Sequence, residues 1–417
     1  MAESLSPKTP TDETPRDPDY RTGTGKEVNR ARGELSLPAE KVDNEVLWVN
    51  PAFRSPSGDI NYLPFRLEPR QLFKRGEPTD LAVFLSRQGT RRLAINPESG
   101  RGRSGLLGRI ILRDRERITY RDVDAKGTGH FRARRWSADD GPSHHIDEVT
   151  TEGAAPSPHQ ILGIVDEGYA HTDIDNSERL IGLGIRTCRI VALIRLKELV
   201  YRDEKISIEE AKRRGIIPGD ARPVIEIRAY RGTRERVDSV SVPLLGTSSL
   251  KSRKRTEAVI KDAKALVAQE LGKDPDEFSD NDYLEWFAKT LGENLAKLHN
   301  AGYFHGYVSE HNVTLDGCIV DLDSVDTMAN IIARRNREGG GYYKKYQKGD
   351  LCREEISDAC ATLENLVLVC ATLENLVTEY EGTRAETAIK DQSHYQSLLR
   401  EAYTQRLNPK LRKAFAA

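Results

Sequence analysis

The feature that most constrains this chain is a change of hydrophobic period near its middle. Up to about residue 230 the apolar residues come in short runs between turn residues. LAVFLSR, RRLAINP, LLGRIIL and RITYRDVD predict strands, and RTCRIVALIRLKELV predicts a buried one. PVIEIRAYRG alternates Val224, Glu226 and Arg228 against Ile225 and Ile227, a further strand. Between these, SIEEAKRRG reads as a short helix with Ser207 as N-cap and Glu210 three residues on. Beyond residue 250 the period becomes helical. RTEAVIKDAKALVAQELG is amphipathic, and SDNDYLEWFAKTLGENLAKLHNAGY is a longer helix capped at Ser279 or Asn281 and stopped near Gly302. A chain with this pattern cannot be a single sandwich or a single bundle. It predicts an α+β fold with a β-rich first lobe and an α-helical second lobe.

Composition narrows the function classes. Sixty-four Lys and Arg against 65 Asp and Glu leave a net charge of −1, so bulk charge does not point to a nucleic-acid or membrane surface. No run of 18 apolar residues stands out, and the N-terminus has no apolar core of a secretory signal, so no membrane partner and no export are expected. The five cysteines, Cys188, Cys318, Cys352, Cys360 and Cys370, include no CxxC pair, which favours a reducing, cytoplasmic setting. Residues 1–45 are polar and rich in Pro, Thr and charge, and read as a disordered tail. A 46–235 lobe and a 236–417 lobe follow. CATLENLV occurs at 360–367 and again at 370–377. A ten-residue offset rotates a helix so that the copies face about 80° apart, which fits a lengthened helix better than a functional repeat.

Local charge is less even. Residues 66–135 hold 18 Lys and Arg against 8 Asp and Glu, amid a cluster of glycines. Basic groups around glycine turns suit a polyphosphate. A nucleic-acid face is disfavoured because stacking aromatics are not interleaved. The adjacent His144 and His145, near Asp147 and His159, read as a polar loop rather than a metal cluster.

The chemistry concentrates at 305–323. His305-Gly306 is followed by Asn312, and nine residues later by Asp321. NVTL and CIVD flank Asp316-Gly317, a candidate type I′ hairpin turn that would bring Asn312 and Asp321 together. An amide oxygen beside a carboxylate can hold a hard divalent ion that also bridges phosphates. This is the metal-holding half of a protein-kinase-like site. The position after His305-Gly306, where small-molecule kinases often carry an aspartate base, is Tyr307.

Four ordered stretches, GRGRSGLLGR, DAKGTG, SERLIGLGIRT and HGYVSEHN followed by Asp321, resemble motifs of the selenoprotein O family. Members of that family have a protein-kinase fold, bind ATP inverted and transfer AMP to protein hydroxyls. The resemblance implies a protein-kinase-like two-lobed fold, ATP and Mg²⁺ (or Mn²⁺) as cofactors, and protein substrates bearing Ser, Thr or Tyr hydroxyls. It implies that Gly100, Gly102 and Arg103 lie in a phosphate-binding turn, and that Lys126 contacts phosphates with Glu178 as its helix partner. It implies nucleotide contacts from Asp140, Gly141, Arg228 and Arg234, and metal ligation by Asn312 and Asp321. Where the family carries its presumed aspartate base, this chain has His311, whose neutral imidazole can accept a proton. Glu310 is a substitute base, although strand-like alternation would point it elsewhere. The family's C-terminal Cys or selenocysteine motif has no counterpart. Two other readings stay open: an inactive nucleotide-binding pseudokinase acting as a scaffold, and a small-molecule kinase.

Overall fold

The computed structural model describes residues 35–53, 73–95, 102–108, 112–133, 144–146, 163–201, 203–246, 250–338, 346–381 and 389–416. The first lobe runs β1 (Leu35–Lys41), β2 (Asn44–Val49), β3 (Val83–Leu85), β4 (Arg91–Ile95), β5 (Gly102–Gly108), β6 (Leu112–Arg113), β7 (Thr119–Tyr120), β8 (Asp122–Ala133), β9 (His144–Ile146) and β10 (Val165–Asp166). After α1 (Glu167–Gly182) come β11 (Arg189–Leu196), β12 (Glu198–Tyr201), β13 (Glu204–Ser207), α2 (Ile208–Arg213) and β14 (Pro223–Tyr230). The second lobe holds α3 (Asp238–Gly246), α4 (Leu250–Glu270), α5 (Asp280–Asn300), β15 (Tyr303–Phe304), β16 (Asp326–Thr327), α6 (Met328–Glu338), α7 (Lys348–Glu381), α8 (Gln392–Arg406) and α9 (Pro409–Ala416). The architecture is α+β and protein-kinase-like: a β-rich lobe with one helix against its sheet, then a helical lobe.

Among the described residues, ten strands form one sheet, ordered β2-β11-β14-β8-β5-β4-β1-β3, with β10 beside β14 and β9 beside β8. One face of its centre is apolar: Val123, Ala125, Ile225, Ile227 and Ala229 join the first lobe's core. The other face carries the site. β8 departs from regular pairing just after Lys126, where Gly127 and Gly129 take φ of +99° and +95°. A Cβ on Gly127 would lie 2.6 Å from the Val224 carbonyl oxygen, so only glycine allows this approach. β10 then takes over the edge of β14 through Val165↔Val224.

β1 lies wholly within the stretch read as tail, and β2 begins there. In β1, Leu37 and Ala39 alternate with Pro38 and Glu40, and β1 pairs with both β3 and β4. Charged neighbours masked that alternation in the sequence. His144 and His145 stand in β9, paired to Ala133 and Arg132, rather than in a loop.

In the second lobe, Tyr283, Leu284, Phe287, Ala288, Leu291, Leu295 and Leu298 of α5 recur at three- and four-residue spacing and are buried. Ser279 and Asp282 cap α5 with reciprocal bonds to the backbone, and Gly302 follows the helix with φ +82°. Gly292 brings α8 close, since a Cβ there would meet the Leu399 carbonyl oxygen at 2.4 Å. Ser207 caps α2 by accepting from the Glu210 N–H.

Both CATLENLV copies lie in α7. Thr362 of the first is buried and donates to the Val308 carbonyl, whereas Thr372 of the second is half-buried and donates to Leu368 within its own helix. Contrary to the expectation that no segment is apolar enough, Lys348–Glu374 is long and apolar enough to cross a membrane by length and composition. Half of that stretch is buried, and Leu351, Ile356, Leu363 and Leu366 belong to the second lobe's core.

Candidate functional site

The site begins with strand register. Lys126 sits opposite Glu226, and Asp124 opposite Arg228, on the β8–β14 pair. Period-two alternation therefore puts Asp122, Asp124, Lys126, Glu226 and Arg228 on one sheet face. All five are at most 3% exposed, so this is an interior of charge rather than a solvated surface. Ion pairs resolve much of it. The Arg228 Nε and Nη2 donate to the two Asp124 oxygens at 2.8 and 2.7 Å, and Nη2 donates to Ser104 Oγ at 3.1 Å. Arg234 Nη1 donates to the Ser104 carbonyl at 3.3 Å, and its backbone N–H donates to Asp122.

Lys126 is the centre of the arrangement. Its Nζ donates to Asp173 Oδ2 of α1 at 2.8 Å and lies 3.9 Å from Asp321 Oδ1. Burial pulls the ammonium's pKa down, but Asp173, Glu226 and Asp321 outweigh it, and the net shift is upward. Glu226 also shifts upward, which for a carboxyl favours the neutral form. Burial, then the Asp173 charge, push its pKa well above the usual range, against the pull of Lys126 and Arg228. Of these buried carboxyls Glu226 is therefore the one disposed to keep a proton, with the Asp173 carboxylate beside it to accept it and, among the described residues, no other hydrogen-bond partner on either Glu226 oxygen.

The helix partner of Lys126 is therefore Asp173, not Glu178. Glu178 instead accepts from Arg189 Nε and Nη2 at 2.8 and 2.6 Å and from Asn50 Nδ2 at 2.7 Å. Helix phase explains the difference: five residues place the two carboxylates about 140° apart. The same helix reaches the second lobe, where Asn176 Nδ2 donates to the Leu322 carbonyl at 2.8 Å and the Val325 carbonyl at 3.2 Å.

On the second lobe, His305 is structural. Its ring Nε2 bonds the Val320 carbonyl at 2.8 Å, and its backbone N–H donates to the buried Glu355. Val320 N–H donates to the Asn312 carbonyl at 2.9 Å, which brings Asn312 beside the start of the Asp321 segment. The turn between them is not type I′. The Gly317 N–H bonds the Thr314 carbonyl, and only Gly317 of the pair is left-handed, at φ +72°. That matches a three-residue hairpin loop with glycine at the left-handed position. Asp316 is buried because it accepts from Gly232 N–H and Arg186 Nη2.

Asp321 itself is left-handed, at φ +67° and ψ +56°, and its side chain is 17% exposed. Asn312 donates from Nδ2 to the Tyr307 carbonyl at 2.9 Å, and its Oδ1 faces Arg236 Nη1 at 3.4 Å. Asp321 and Asn312 thus present one carboxylate and one amide oxygen. Among the described residues no three His, Cys, Asp or Glu side chains gather as a metal cage. The donor set fits a hard ion that arrives with phosphates, which then complete its shell.

The two base candidates separate. Glu310 Oε2 accepts from Ser241 Oγ at 2.9 Å and Asn365 Nδ2 at 2.7 Å, so its carboxylate ties the loop to α3 and α7. His311 is half-exposed, with Nδ1 2.6 Å from Asp238 Oδ2. Gly102 and Arg103 open β5. Gly100, Asp140 and Gly141 lie outside the described residues. Asp173, Glu226 and Asp238 escaped the sequence reading; the β14 alternation could have flagged Glu226, but only register places it opposite Lys126.

A lysine strand, a helix bonded to that lysine, two central strands, a connector, a long helix and a hairpin ending in an aspartate make the order of a protein-kinase-like fold. No family model and no curated protein matches the chain. Among solved structures, it is similar to a Toxoplasma gondii rhoptry antigen kinase domain at 12% identity and TM-score 0.30, covering 79% of this chain and 83% of that one. It is also similar to ROP2 from Toxoplasma gondii, described as a virulence factor with a protein-kinase fold and no enzymatic activity. That match has 12% identity and TM-score 0.29, covering 78% and 80%. Scores that low carry no argument about this chain, whose class rests on the element order and the Lys126 pair.

Proposed function

We propose that this chain is an ATP-dependent protein adenylyltransferase of the selenoprotein O type. The observation that supports the reading most is the Lys126–Asp173 pair set 3.9 Å from Asp321, at the edge of a buried, mixed-charge sheet face. A substrate hydroxyl oxygen would attack the α-phosphorus, the bond to the bridging α–β oxygen would break, and pyrophosphate would leave. Lys126 would neutralise phosphate charge. Asp321 and Asn312 would hold a Mg²⁺ or Mn²⁺ ion, whose chemistry is to offset charge on the phosphates. His311, rather than Glu310, would take the hydroxyl proton, because the Glu310 carboxylate is held by two other side chains. Arg228 and Arg234 are paired within the sheet face and would bind nucleotide only by sharing those bonds.

A second reading has its own observation. Tyr307, where an aspartate base would follow His-Gly, is 66% exposed, which favours a nucleotide-binding pseudokinase that serves as a scaffold. The test is incubation with α-labelled ATP and Mg²⁺ or Mn²⁺, beside Lys126→Ala and Asp321→Ala. Label on protein hydroxyls, lost in both variants, is expected. Nucleotide-induced thermal stabilisation without label or pyrophosphate moves the conclusion to the scaffold, and ADP release moves it to a kinase.

A further inference from the structure

We infer that Asp238 is a positioning residue that fixes His311 as the Nδ1–H tautomer, leaving Nε2 as the basic nitrogen; its catalytic meaning rests on the reading just given. The backbone forces the pair together. The connector after β14 zips antiparallel along the hairpin: Leu315 N–H donates to the Glu235 carbonyl at 2.7 Å, Val237 N–H to Val313 at 3.0 Å and Asp238 N–H to Glu310 at 3.1 Å. That register delivers the Asp238 carboxylate, as the first residue of α3, to the His311 ring.

Burial sets the direction of the hydrogen bond. The Asp238 side chain is 6% exposed while the His311 ring is 47% exposed, and the two approach at 2.6 Å. A buried carboxylate accepts, so Nδ1 carries the hydrogen, and in the neutral ring the lone pair is then on Nε2. The loop is held around the ring as well. The Arg236 guanidinium donates to the His311 carbonyl and reaches the Asn312 amide oxygen. Glu310, the neighbouring carboxylate, is occupied by Ser241 and Asn365. A carboxylate on one imidazole nitrogen fixes the tautomer and stabilises the imidazolium that forms when the other nitrogen takes a proton. Here that proton would come from the attacking hydroxyl and pass afterwards to solvent.

The experiment uses the full chain. Imidazole ¹⁵N spectra of wild type and Asp238→Asn, with His311→Gln to assign the signal, read the tautomer directly. Wild type is expected as Nδ1–H; Asp238→Asn, whose amide can donate to Nδ1, is expected to shift to Nε2–H. AMP transfer by Asp238→Asn should lose kcat by about 10²–10⁴-fold, with the KM for ATP unchanged. Asp238→Glu should recover part of kcat and the Nδ1–H signal, which a purely structural role would not require. An Nε2–H tautomer in the wild type, or full kcat in Asp238→Asn, overturns the inference. If wild type transfers no AMP, the functional reading fails, while the ¹⁵N tautomer still decides the role of Asp238.

Discussion

Replacing Glu226 by Gln tests the charge assignment at the heart of the cleft. A protonated Glu226 bonded to Asp173 is nearly isosteric with Gln, whose amide N–H can make the same bond. In the unfolded chain Glu226 ionises at its ordinary pKa, whereas burial and the Asp173 charge raise it in the fold. The folded state then binds more protons than the unfolded one, so stability falls as pH rises above the ordinary glutamate range. The slope is about 1.4 kcal/mol per pH unit for as long as the folded form keeps its proton. Glu226→Gln lacks that term. The two proteins should be equally stable near pH 4, and the variant should gain on wild type by about 1.4 kcal/mol per pH unit above pH ~5. Urea unfolding at half-unit pH steps measures the difference. Parallel stability curves from pH 4 to 8 would refute the reasoning, because they would mean that Glu226 is ionised in the fold and that Lys126 neutralises two carboxylates at once.

Two further predictions follow from other elements. His299, buried between Tyr403 and Glu355, has its pKa raised to about 9: burial lowers it, but bonds to Cys352 and Glu355 outweigh that. Its contribution is complete below the unfolded value near 6.5 and is lost as pH rises through about 9, so His299→Gln should flatten the wild type's decline in thermal midpoint over that window. Gly127→Ala should destabilise by at least about 1–2 kcal/mol from the left-handed backbone alone. The added Cβ, 2.6 Å from the Val224 carbonyl, adds to that cost, and calorimetry showing an unchanged midpoint would contradict it.

Local signals were legible in the sequence, and long-range ones were not. Ser207, Ser279 and Gly302 announce helix ends because capping depends on residues within one turn. Lys126 was found through its glycine neighbours, but its partner was not. Helix α1 carries Glu167, Asp173, Asp175 and Glu178, and which one meets the lysine depends on how the helix lies on the sheet. Glu226 required the pairing of strands 100 positions apart in the chain. The Asp316-Gly317 turn was correct in place and wrong in type, because the Asp316 side chain is drawn inward by Arg186 and Gly232 rather than left to solvent.

Helix α1 is fastened at both ends of a single turn. Asp173 holds the sheet's lysine, and Asn176, three residues on, holds the segment that follows Asp321. Withdrawing the helix would therefore break the lysine pair and the anchorage of the aspartate loop together. Assembly of the cleft and docking of one lobe on the other are then a single equilibrium rather than two. A molecule that binds between Lys126 and Asp321 would act on both lobes at once, by tightening a clasp that Asp173 and Asn176 already hold.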